Sequence, residues 1–241
     1  VLPYYRKMES DADFGGDFHG KDGPMPVRRH PKSSWLPFQK AIYDSCIDNG
    51  FPDCPDHNAP DATGIGASPQ NQVDGVRMSS ALTYLNPARI RTNLTVRGNV
   101  HVIKILFDRE TAIGIKAESG SESFDIYAEN IVVCCGALQT PQLLMLSGIG
   151  PADHLKSMGI KIVKDLPGVG QNLRDHCTVR MRCSVHNDFP LDPHSVRNQI
   201  LLCYTAKGST SKNDMEVWVS NYAGSISEDP TKQSGKDKGC V

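Results

Sequence analysis

The stretch Gly136-Ala-Leu-Gln-Thr-Pro-Gln-Leu-Leu-Met-Leu-Ser-Gly-Ile-Gly150 restricts this chain most, because it reads as the turn and helix of a strand-turn-helix unit. Upstream, Ile131-Val-Val-Cys-Cys135 is a short continuous apolar run, the pattern of a parallel strand covered on both faces. Thr140 is placed to act as N-cap, Pro141 as the first helical residue and Gly148 as the left-handed C-cap. A unit of this kind sets the positive end of a helix beside the carboxyl edge of a sheet, where nucleotides dock.

At 241 residues, 39% of them hydrophobic, the chain can bury one large core or two smaller ones. A formal charge of -1 without a clustered Lys/Arg face argues against nucleic-acid partners. No apolar run approaches the ~20 residues needed to span a bilayer. The eight cysteines contain no Cys-x-x-Cys pair, and the eight histidines no His-x-His or His-Glu-x-x-His arrangement, so no metal site is expected. Cys46, Cys134, Cys135 and Cys203 lie in apolar runs and read as packing residues in a reduced interior. The residues leave the compartment open, with the cytoplasm as the default expectation.

Residues 8 to 34 read as loop and edge strand around His19-Gly-Lys-Asp-Gly-Pro24. From Ser33, the spacing of Trp35, Phe38, Ile42 and Cys46 predicts a helix ended by Asn49-Gly50. Residues 51 to 72 read as a long loop, and Ser79 to Leu85 as a short helix ended by Asn86-Pro87. Leu94 to Phe107 and Ala112 to Ala117 are expected as strands, then Phe124 to Tyr127, then the buried strand at Ile131. A helix over Pro151 to Met158 precedes a strand through Ile160, Ile162 and Leu166. Val179, Met181 and Cys183 suggest a strand of another sheet, and Met215 to Ser220 a later one. The tail from Ser225 has little to bury.

The opening segment, followed by Asp165-Leu-Pro-Gly-Val-Gly-Gln-Asn-Leu-Arg-Asp-His176, closely resembles the glucose-methanol-choline (GMC) oxidoreductases. The likeness extends to Gly23-Pro-Met-Pro-Val27, Asp74-Gly-Val-Arg-Met-Ser-Ser-Ala-Leu-Thr-Tyr-Leu85 and Asn93-Leu-Thr-Val-Arg-Gly-Asn-Val-His-Val102. It implies an α/β chain in which part of a Rossmann-like FAD-binding domain interleaves with part of an antiparallel-sheet substrate domain. Residues 1 to 72 would be substrate-domain and lid elements, 73 to 176 the FAD-domain core and 177 to 241 a return to the substrate sheet. The family's Gly-x-Gly-x-x-Gly turn and its active-site His are not in this sequence, which is expected to be an interior piece of a longer enzyme. FAD held by such a piece alone would be bound weakly.

The resemblance implies oxidation of a CH-OH donor, an alcohol or a choline-like substrate, by hydride transfer to the flavin of FAD, with the electron acceptor open. It assigns Val102 a main-chain contact to adenine. It also brings Cys135, Gly136 and Ala137 to the ribose and pyrophosphate, although helix-sheet packing uses the same small residues equally well. No catalytic residue is assigned. His176 is the one candidate, and a turn histidine bonded to a neighbouring Asp explains it better. Arg77, in the segment that also holds Ser79, reads as an anchor of the neighbouring long loop through a carboxylate, with lining of the cofactor channel as the alternative. The alternatives are a non-catalytic binding or structural module, or a family lyase or photoenzyme using the same scaffold.

Overall fold

A computed structural model describes residues 1–181 and 195–220. In chain order its helices are α1 (Leu2–Met8), α2 (Pro37–Asp48), a π-helical turn (Ala81–Leu85) running into α3 (Asn86–Ala88), α4 (Gly136–Leu146) and α5 (Ala152–Ser157). The strands are β1 (Glu9–Asp11), β2 (Met25–Val27), β3 (Gly64–Ala67), β4 (Gln72–Val73), β5 (Val76–Arg77) and β6 (His101–Asp108). They continue with β7 (Thr111–Ser119), β8 (Glu122–Tyr127), β9 (Ile149–Gly150), β10 (Lys164–Asp165), β11 (Ile200–Tyr204) and β12 (Met215–Trp218). The fold is mixed α/β, with two three-stranded antiparallel sheets. Among the described residues no helix is long and apolar enough to cross a membrane.

The chain divides into two compact units, residues 1–94 with 179–241, and residues 95–178. In the first, β12, β11 and β3 form an antiparallel sheet with Leu202 opposite Ile65 on one side and Val217 on the other. Its core is Trp35, Ile65, Ile200, Leu202 and Val219. Phe38, Ile42 and Cys46 of α2 pack against that core, as their helical spacing requires. Gln39, on the same helix, is wholly buried. Its amide donates to the carbonyls of Arg197 (2.9 Å) and Val219 (3.2 Å), so the polar group is satisfied inside. Gln199 reciprocates, accepting from the Leu36 N–H at 2.8 Å and donating to the Ser34 carbonyl at 3.1 Å.

The second unit is the meander β6-β7-β8, with α4 packed on β6 and the parallel pair β9-β10 beyond it. Its buried side chains include Ile105, Ala117, Leu143 and Leu155. Asp165 Oδ1 accepts the Ala152 N–H at 3.0 Å, which caps α5 from a distant strand.

Several elements differ from the expectation. Ile131 to Cys135 is not a buried strand: it is in no ladder, Val132 is 84% exposed, and Cys134 and Cys135 are exposed rather than packed. A strand needs at least one ladder partner, and among the described residues none pairs with this run. Helix α4 starts at Gly136, so Thr140 is not its cap and Pro141 lies inside the helix. There Pro141 deprives the exposed first turn of one hydrogen bond, to the Ala137 carbonyl. The loop from 51 to 72 contains β3, a strand hidden by its glycines, which let the Pro52 and Cys54 carbonyls press against Gly64 and Gly66. The first meander strand begins at His101 rather than Leu94, the turn from Ser79 continues through Asn86 to Ala88, and the 160–166 segment pairs only at β10. Val179 and Met181 are 90% and 81% exposed and form no strand, and Cys183 and the tail from Ser225 lie outside the described residues.

Candidate cofactor site

β6 is the outer strand of its sheet, so among the described residues one of its edges has no ladder partner. Buried Ile105 donates its peptide N–H not to β7 but to the Ser147 hydroxyl, at 2.8 Å. Ile105 and Ile115 are therefore opposite each other without exchanging hydrogen bonds. Alternation along β7, which is regular here, makes Val102 and Ala117 a second such pair. The register shift between Val102 and Lys104 is the cause: the extra residue, Ile103, turns Val102 to the same edge as Ile105. Half-buried Val102 thus presents its N–H and C=O to the open edge.

Cys135, Gly136 and Ala137 are exposed at the start of α4, where Cys135 is the N-cap and offers no side-chain cap. The first N–H groups of this helix therefore have no intrahelical acceptor and face solvent. Gly136 has φ +81°, a conformation that favours glycine, and a Cβ built on it meets no atom within 4 Å. Open space, exposed first-turn amides and a strand edge that has no ladder partner among the described residues suit a nucleotide cofactor.

Ser147 was not anticipated as a functional residue, although it lies within the opening segment. It is buried, donates to the Leu143 carbonyl at 2.6 Å and accepts from Ile105. Gly148 follows with φ +91°, as its capping role requires, and its carbonyl receives the N–H groups of Val163 (2.8 Å) and Lys164 (3.1 Å).

His176 is exposed, and its peptide N–H is held by Asp175 Oδ1 at 2.7 Å. Arg77 is exposed on β5 and has no carboxylate partner among the described residues, so the anchoring pair expected for it is absent there. Ser79 contributes its carbonyl to the turn that follows, accepting from the N–H groups of Leu82 and Thr83.

The first unit holds a charge cluster that the sequence did not disclose. His19 Nε2 is 2.8 Å from Asp56, and Nδ1 is 3.3 Å from Glu9 and 3.2 Å from Asp11. Arg29 donates to both Asp11 oxygens (3.0 and 2.9 Å) and to Asp56 (2.7 Å), with its guanidinium 4.6 Å from the Phe14 ring centre. Burial works to raise the Asp11 carboxyl, but the N–H groups of Phe14 and Asp13 and the Arg29 guanidinium outweigh it and hold the group below the usual range. Glu9, Asp11 and His19 converge closely enough for a metal ion, but Arg29 already occupies the Asp11 carboxylate. A cleft of about 650 Å³ beside the cluster is lined by Arg28, His30, Lys32, Asp53 and Asp74 among others.

The sequence model of the GMC oxidoreductases matches residues 1–178. Mitochondrial choline dehydrogenase of Homo sapiens is 34% identical over 92% of this chain and 39% of its own length. Among solved structures, pyridoxine 4-oxidase from Mesorbium loti superposes with a TM-score of 0.75 at 27% identity, over 90% of this chain and 42% of that one. An FAD-dependent oxidoreductase from Chaetomium thermophilum gives 0.67 at 29% identity, over 72% and 32%. The chain spans less than half the length of each of these proteins. With three-quarters of its residues inside the family's own pattern, the chain belongs to the GMC oxidoreductases.

Proposed function

We propose that this chain is part of a longer FAD-dependent oxidoreductase acting on the CH-OH group of a small alcohol of choline-like type. Residues 73–176 contribute to the FAD-binding domain, and residues 1–72 and 177–241 to the substrate domain. The observation that carries the reading is the outward-facing main chain of Val102 on the β6 edge that has no strand partner among the described residues, in a chain of this family. Val102 would hold the adenine edge through its N–H and C=O, while Cys135, Gly136 and Ala137 would let ribose and pyrophosphate approach the α4 amides. FAD, when bound, supplies the electron sink for a hydride from the alcohol carbon. The acid-base group is assigned to no residue of this chain.

The test is to mix the FAD-loaded longer protein anaerobically with choline and a series of primary alcohols and follow the oxidised-flavin absorbance. At least one alcohol is expected to bleach it. A flavin that stays oxidised with every CH-OH donor would overturn the reading.

A further inference from the structure

We propose that Ser147 is a positioning residue for FAD, locking the strand that carries the adenine contact to the helix that faces the pyrophosphate. The inference rests on the cofactor reading above. The Ser147 hydroxyl is a relay: it accepts the Ile105 N–H from the open edge of β6 and donates to the Leu143 carbonyl of α4. Both bonds are short, and Ser147 and Ile105 are 7% and 6% exposed, so water does not readily replace either partner. Ile105 occupies the same edge as Val102, just beyond the register shift. The edge that would receive adenine is thereby fixed to α4 by one side chain, and both halves of the cofactor site are held in a single geometry. Sequence neighbours reinforce the junction, because Gly148 ties the following turn to Val163 and Lys164.

The experiment compares Ser147→Ala, Ser147→Thr and Leu155→Ala in the longer protein, freed of flavin and titrated with FAD by flavin fluorescence. Hydrogen exchange at the Ile105 amide is measured alongside. Ser147→Ala is expected to raise the FAD Kd about tenfold, the effect of one lost buried hydrogen bond, and to speed exchange at Ile105. Ser147→Thr keeps the hydroxyl and is expected to restore both. Leu155→Ala removes a wholly buried side chain from α5 and is expected to lower the melting temperature while leaving the Kd within about twofold. If Ser147→Ala does not fold, Ser147→Cys, with its weaker acceptor, takes its place with an intermediate Kd expected. Faster exchange at Ile105 with an unchanged Kd overturns the positioning role, as does an equal rise in Kd from Leu155→Ala. Failure of the cofactor reading itself is separate, and shows as unchanged FAD affinity in folded Val102→Pro protein.

Discussion

At Asp11 burial and hydrogen bonding pull in opposite directions, and hydrogen bonding wins. A carboxyl held below its ordinary value of 3.8 contributes stability that is complete above that value and lost as pH falls through the folded one. His57 acts earlier on the same side. Burial lowers its imidazole from the ordinary 6.5, against the carbonyls of Leu201 and Gly66, so its contribution is complete above 6.5 and declines below it. Thermal melts of the 241-residue chain are therefore expected to weaken on acidification in two stages, the first removed by His57→Gln. Asp11→Asn removes one of the two buried carboxylates that hold Arg29, which keeps Asp56, and is expected to cost about 1–3 kcal/mol at neutral pH. A melting temperature that is flat from pH 7 to 5 in the unsubstituted chain would contradict the His57 assignment.

Among the elements, Ile131 to Cys135 is the sharpest departure from the sequence pattern. Its apolar run matches a covered strand, yet it is unpaired and partly exposed. On the function proposed above, strands of the longer protein would cover it. Val133→Asp is then expected to change the melting temperature of the 241-residue chain little. The same substitution should prevent folding of the FAD-loaded protein, at a cost of several kcal/mol for an unpartnered buried charge. Equal effects in the two proteins would contradict that environment. α2 was legible because Phe38, Ile42 and Cys46 repeat at the helical period, and the β6-β7-β8 meander because polar turns separate apolar strands. Gln39, Gln199 and the His19–Arg29 cluster were not. Their burial depends on partners far away in sequence, and polarity taken alone says surface. β3 was missed because glycine is read as a loop former, whereas here its lack of a side chain admits a second backbone.

At the scale of the whole molecule, the family reading was legible from short segments dispersed over most of the chain, each needing only local order to be recognised. The candidate cofactor residues were named from the same segments. Their physical rationale, an unpaired edge turned outward by one extra residue, appears only once β6 is registered against β7. That rationale makes the main chain of Val102 decisive and its side chain secondary. The direct test is FAD affinity of the longer protein, freed of flavin and titrated by fluorescence, with Val102→Ala and Val102→Pro compared at matched folding. Val102→Ala is expected to lose about 1 kcal/mol of stability and keep its affinity, whereas Val102→Pro, without the N–H, is expected to bind FAD tenfold or more weakly, about 1.4 kcal/mol. Folded Val102→Pro protein with the unsubstituted affinity would contradict the account.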